Sequence, residues 1–144
     1  MANGKFQIPK AINEVIDSYA PGTASRENLL ETYESMLKGS VDIPMLINGK
    51  EIRTNDIRDC RPPHDHKTKI GQFHYGTKRH VEEAINSSLS VHDEWSSLPW
   101  NERAAIFLKA ADMVSGSYRA KINAATMLAQ SKTVHQAEID AACE

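Results

Sequence analysis

The sequence predicts an α+β fold laid out in three consecutive zones. Three observations carry the prediction: apolar residues at helical spacing between residues 26 and 38, a strand-like region around Asn48-Gly49, and a return to helical spacing from Thr77 onward. The zones are an N-terminal helical arm over 1–40, a β-hairpin with a third strand over 41–76, and a run of four helices over 77–144.

Within the arm, Ala11 to Tyr19 is expected as a short helix that Pro21-Gly22 ends. A stronger helix runs from Arg26 to Lys38, with Ser25 as its N-cap and Gly39 as its stop, and with Leu29, Leu30, Tyr33, Met36 and Leu37 forming its apolar side. Such an amphipathic helix must dock on another element.

The period then changes. Ile43 to Ile47 is apolar and β-branched, Asn48-Gly49 is a strong signal for a two-residue hairpin turn, and Glu51 to Ile57 alternates isoleucine with polar residues. After the turn-rich stretch Arg61-Pro62-Pro63-His64-Asp65-His66, Thr68 to Tyr75 reads as the third strand, closed by Gly76.

Thr77 is the expected N-cap of a helix whose Val81, Ala84, Ile85, Leu89 and His92 share a stripe and which ends near Trp95, before Leu98-Pro99. From Trp100 to Val114 the next helix is apolar around much of its circumference, which predicts burial. Gly116 interrupts, and Tyr118 to Ala129 resumes with Ile122, Ala125, Thr126 and Ala129 in register. Past the break at Ser131-Lys132-Thr133, Val134 to Glu144 is helical but lacks a Gly, Asn, Pro or basic last turn. A carboxylate at a helix C-terminus opposes the macrodipole by about 0.3–1 kcal/mol, so the expectation is a helix cut in mid-course and a chain that is part of a larger protein. The apolar sides of the last helices then await a partner layer, and this chain should expose hydrophobic surface.

Composition narrows the function classes. The 144 residues are 40% hydrophobic, 25% charged and 6% aromatic, as in an ordinary globular domain. Seventeen basic against nineteen acidic residues give a net charge of −2 with no basic stripe, which argues against nucleic acid as a partner. No apolar run approaches the roughly 20 residues that span a bilayer, and Met1 to Ile8 has no apolar export core, so no membrane partner is expected. Cys60 and Cys143 are far apart and share no CxxC spacing, which points to a reducing, cytoplasmic setting, or to the mitochondrial matrix for a eukaryotic parent that has lost a transit peptide.

Catalytic constellations are scarce. The seven glycines form neither a GxGxxG turn nor a P-loop, so no cofactor-binding residue is assigned. Cys60, His64, Asp65, His66 and His74 allow a metal site to be drawn, but without a second cysteine or a paired HxxxH the expected reading is a solvated loop and no metal. His135 and Glu138, three apart on a helix, read as a surface pair. Cys143, beside Glu144, reads as a small core filler with a raised thiol pKa, and Cys60 as structural; no catalytic residue is assigned. On the terminal helix Ala137, Asp140, Ala141 and Glu144 fall at i, i+3, i+4 and i+7, an acidic edge beside a seam of small residues.

The run Ile106-Phe107-Leu108-Lys109-Ala110-Ala111-Asp112-Met113, preceded by Glu94-Trp95, Leu98-Pro99 and Arg103, resembles the N-terminal region of the aldehyde dehydrogenase superfamily. Three further stretches narrow the resemblance to the 1-pyrroline-5-carboxylate dehydrogenase family: Arg61 to His66, Ala124 to Lys132, and Gln136 to Glu144. It covers nearly all of the chain after Ser25.

The resemblance implies a parent enzyme with an α/β fold and a Rossmann-like NAD domain, to which residues 77–144 contribute helices. It implies NAD-dependent oxidation of glutamate γ-semialdehyde to glutamate in proline catabolism, through a cysteine thiolate and a thioester. The nucleophile, the general base and the NAD contacts of that family lie downstream of this chain, and neither Cys60 nor Cys143 matches the nucleophile's motif. The fragment is therefore expected to be inactive, its small-molecule partner an aldehyde bound by the parent, and the parent a homo-oligomer. Glu144 matches an acidic position at the aldehyde entrance and is the single substrate-binding candidate, facing the substrate's amino group. Two alternatives stay open: a dehydrogenase for another aldehyde, and a non-catalytic structural or interaction module.

Overall fold

The computed structural model describes Gln7 and residues 9–143. Helix α1 (Ala24–Lys38) is followed by five short strands, β1 (Val41–Ile43), β2 (Met45–Ile47), β3 (Lys50–Ile52), β4 (Ile57–Cys60) and β5 (Gly71–His74). Helices α2 (Lys78–Ser90), α3 (His92–Ser97), α4 (Trp100–Ser115), α5 (Arg119–Gln130) and α6 (Val134–Ala137) follow, and α6 continues into a π-helical turn, Glu138–Cys143. The α+β prediction holds. Among the described residues no helix is long and apolar enough to cross a membrane.

The N-terminal segment departs from expectation. Residues 9–20 form no helix, and backbone groups among them bond to distant side chains. The Asp17 N–H donates to Glu138 and the Val15 carbonyl accepts from Arg119. Tyr19 ends the segment in the left-handed region at φ 49°, a conformation that costs a non-glycine residue about 1–2 kcal/mol. Its buried ring and the bond from Arg26 to its carbonyl hold it there.

Helix α1 starts two residues earlier than its sequence pattern indicates. Thr23, with extended backbone, is the N-cap, and Ser25 lies inside the first turn, where its hydroxyl donates to Thr23 Oγ1. Gly39 stops the helix as expected, its N–H donating to the Ser35 carbonyl. Leu29 packs with Tyr19 and Ala124 at the centre of the core, flanked by Tyr33, Met36, Met127 and Val134, so α1 docks on α5.

The Asn48-Gly49 hairpin is present: both residues have positive φ, 52° and 69°, and Ile47 pairs with Lys50 across the turn. Its flanks are shorter than predicted. Ile43 lies in β1, which runs parallel to β5 in a different sheet, and the Glu51–Ile57 segment splits between β3 and β4. The third predicted strand shrinks to Gly71–His74 and becomes the centre of a β1-β5-β4 sheet. Gly71 pairs with both Val41 and Cys60, and a Cβ built on it would sit 2.5 Å from the Val41 carbonyl oxygen. Only a residue without a side chain lets β1 approach this closely.

Thr77 caps α2 as expected, with His80 completing a capping box by accepting the Thr77 N–H at 3.0 Å. The helix expected to run to Trp95 breaks at Val91, leaving α3 as a separate short piece. Neither the α2 stripe nor α4 is buried by the described residues: Phe107 is 67% exposed and Leu89 66%. Apolar periodicity reports what a helix is built to bury, and the expected exposed hydrophobic surface is present.

In α5 the buried side is Asn123, Ala124 and Leu128, one residue off the predicted stripe, and Ala129 is exposed. Ser131, in the left-handed region at φ 55°, breaks α5, and Thr133 caps α6 by accepting the Gln136 N–H.

Candidate functional site

The site is built around Glu138, whose side chain has no exposed surface. Arg119 and Asn123 stand one turn apart on α5, so their side chains point the same way. The N-terminal segment brings Asp17 and Tyr19 against them. Glu138 Oε1 accepts from the Asp17 N–H at 2.9 Å, from Arg119 Nε at 3.1 Å and from Arg119 Nη2. Its Oε2 accepts from the Tyr19 hydroxyl at 2.7 Å and from Asn123 Nδ2 at 2.6 Å. Arg119 also donates to Glu14 Oε1 at 2.7 Å and to the Ser115 carbonyl at 3.2 Å, so one guanidinium ties the N-terminal segment, α4 and the π-turn together.

Burial pushes the Glu138 carboxyl up, but the Arg119, Asp17, Tyr19 and Asn123 donors outweigh it and hold the group at about 2. Tyr19 moves the other way: burial, then its bond to Glu138, pushes the phenol up to about 12. The bonds to Glu138 keep Arg119 firmly charged. A carboxylate with five donors has no free lone pair aimed at a ligand, so Glu138 serves as a structural clamp and not as a general base.

This overturns the reading of Glu138 as half of a surface pair with His135. His135 is exposed, while Glu138 is fully buried. Of the face expected from Ala137, Asp140, Ala141 and Glu144, the three described residues divide as a buried Ala137, a half-buried Ala141 and an exposed Asp140. Ala137 and Ala142, five residues apart, are buried; Asp140 is exposed and pairs with Lys132; Glu144 lies outside the described residues. Five is the repeat of a π-turn, where the sequence reading used that of an α-helix.

The remaining candidates disperse. His64 bonds to Ser131 at 2.7 Å, Asp65 accepts from Lys67 and Thr68, and His74 sits between Thr54 and Asp42. Among the described residues no group of three or more His, Cys, Asp or Glu side chains is placed to hold a metal. Cys143 is half-buried beside Arg119 and Glu138, and burial followed by the Glu138 charge pushes its thiol up. It borders a groove of about 750 Å³ between the N-terminal segment, α4 and the π-turn, lined by Ile12, Ile16, Ala110, Val114, Ile122 and Ile139. Cys60 is half-buried in β4.

Sequence reasoning missed Tyr19, Arg119 and Asn123. A signal was present: Arg119 and Asn123 lie at i and i+4 on a helix with small and apolar neighbours, a spacing that puts two donors on one face.

A sequence model of the Aldehyde dehydrogenase family matches residues 51–143. The chain belongs to the aldehyde dehydrogenase family. Among its relatives, the delta-1-pyrroline-5-carboxylate dehydrogenase of Agaricus bisporus is 49% identical over 142 residues, covering 96% of this chain and 26% of that protein. The crystal structure of the Delta-pyrroline-5-carboxylate dehydrogenase from Mycobacterium tuberculosis superposes with a TM-score of 0.95 at 38% identity, over 100% of this chain and 27% of that one. A second structure of the same enzyme, bound with NAD, gives 0.94 over 99% of this chain and 27% of that one, again at 38% identity. The chain thus spans about a quarter of the length of the relatives it matches.

Proposed function

We propose that the chain is the N-terminal portion of an NAD-dependent dehydrogenase that oxidises L-glutamate γ-semialdehyde, the open form of 1-pyrroline-5-carboxylate, to glutamate in proline catabolism. The observation that carries the reading is the likeness to the Mycobacterium tuberculosis enzyme, which extends over all of this chain at 38% identity. A domain shared only at fold level does not keep that much sequence.

The seven glycines form no phosphate cradle, and the helix N-termini of the described residues are not joined to a glycine-rich loop. No residue of this chain is therefore assigned to the dinucleotide, and the chain alone is inactive in this reading. Its contribution is scaffolding: residues 1–40 as arm, 41–76 as strand region, and 77–144 as helices of the cofactor-binding domain. The parent acts on a small aldehyde as a homo-oligomer, in the cytoplasm or the mitochondrial matrix. Glu144 is the one residue given a substrate role, as the carboxylate that recognises the ammonium group of the semialdehyde.

The test uses the complete enzyme with NAD and a panel of aldehydes. Glutamate γ-semialdehyde should have the highest kcat/KM, and Glu144→Ala should raise its KM far more than that of an aliphatic aldehyde without an amino group. Preference for an unrelated aldehyde would instead support a dehydrogenase of different specificity.

A further inference from the structure

The segment Glu138-Ile139-Asp140-Ala141-Ala142-Cys143 contains neither proline nor glycine, and nothing in its composition forbids an ordinary α-helix. It is nevertheless wound as a π-turn. The reason lies in what its two ends touch. Glu138 is fixed by donors from α5 and from the N-terminal segment, and Ala142 occupies a buried seat five residues after Ala137. Across the turn Cys143 Sγ lies 3.9 Å from Glu138 Oε1 and 3.8 Å from Arg119 Nη2. An α-helical winding would bring Ala141, not Ala142, beneath Ala137, and one of the two anchored ends would have to leave its place.

We propose that the buried Arg119–Glu138 pair is a positioning device that holds residues 138–143 in the π winding, and that the substrate role given to Glu144 depends on that winding. Each residue of an α-helix advances by about 100° around the axis, so losing the one extra residue of the π-turn shifts the register at Cys143 by about that angle. π-Turns are rare and frequently fall at functional sites. Arg119 and Glu138 act on the aldehyde through this winding. The selectivity part of the inference rests on the substrate role given to Glu144; the winding part does not.

The experiment therefore has two arms, both on the complete enzyme. In the first, crystal structures of Arg119→Met and of the milder Glu138→Gln should show residues 138–143 relaxed to α-helix; a π-turn retained in both overturns the inference whatever the substrate. In the second, KM and kcat are measured for glutamate γ-semialdehyde and for an aliphatic aldehyde without an amino group. Arg119→Met should raise KM for the first by about tenfold, the size of one lost charge-assisted contact, with the second changed much less. Arg119→Lys, which keeps the charge, should restore most of the loss. If Glu144→Ala is selective and Arg119→Met impairs both aldehydes equally, the positioning role fails. If Glu144→Ala is not selective while the turn still relaxes in Arg119→Met, the substrate reading of Glu144 fails and the winding device stands. Should Arg119→Met not fold, Glu138→Gln supplies both arms.

Discussion

Arg119 sends two of its N–H groups to a single oxygen of Glu138, leaving the other oxygen to Tyr19 and Asn123. The arrangement is not a symmetric fork. The Oε1 atom also accepts from the Asp17 N–H. Truncating either partner leaves the other charge buried and uncompensated, a loss of about 3–5 kcal/mol, whereas replacing both with apolar residues is far milder. Urea unfolding should thus show Arg119→Met strongly destabilised and the double variant Arg119→Met/Glu138→Leu recovering much of the loss. Additive losses would mean the two residues act independently.

The same pair makes the fold acid-sensitive in a defined window. The folded Glu138 carboxyl sits at about 2, below its ordinary 4.5. A depressed carboxylate contributes stability that is fully present above the unfolded pKa and is lost as pH falls through the folded one. The contribution is on the order of 3 kcal/mol and should disappear between about pH 4.5 and pH 2. Unfolding free energies measured across that range should fall more steeply for the native sequence than for the Arg119→Met/Glu138→Leu variant.

Gly71 and Gly49 offer a contrast between contact and conformation. Alanine at position 71 would press against the Val41 carbonyl, which is backbone and cannot rotate away, so β1 must separate from β5 at a cost of about 1–3 kcal/mol. Alanine at position 49 meets nothing within 4 Å, but its φ of 69° costs about 1 kcal/mol. Hydrogen exchange separates the two. Gly71→Ala should strip protection from the Val41 amide, which donates to the Ile70 carbonyl, and Gly49→Ala should leave it intact.

What was legible in the sequence was local. Gly39, Asn48-Gly49 and Thr77 punctuate the chain where turn and cap chemistry says they should, because their physics involves only neighbours within four residues. What was not legible was decided at long range. The segment before Tyr19 has enough apolar residues to suggest a helix, yet it is tied to Arg119 and Glu138, more than a hundred residues away, and forms none. Likewise β1 leaves the hairpin for β5 because of a parallel pairing that no turn signal announces. The Glu138 cluster was hidden for the same reason: a glutamate three residues from a histidine looks like any surface pair until the donors from another element are in place.

Helix α4 is apolar and exposed around much of its circumference. Trp100, Ile106, Phe107 and Leu108 are each about half or more exposed, on a helix with no buried residue. Contiguous exposed apolar surface drives association, so sedimentation of this chain should show mass rising with concentration. Phe107→Lys should shift the distribution toward monomer without lowering the thermal midpoint, since the side chain it removes supports nothing in the fold. Leu128→Ala is the opposite case. Leu128 is 1% exposed, and truncating it should cost about 2–5 kcal/mol and leave association unchanged at temperatures where the chain stays folded. A Phe107→Lys chain that unfolds early would show that α4 is part of the core and not a face awaiting one.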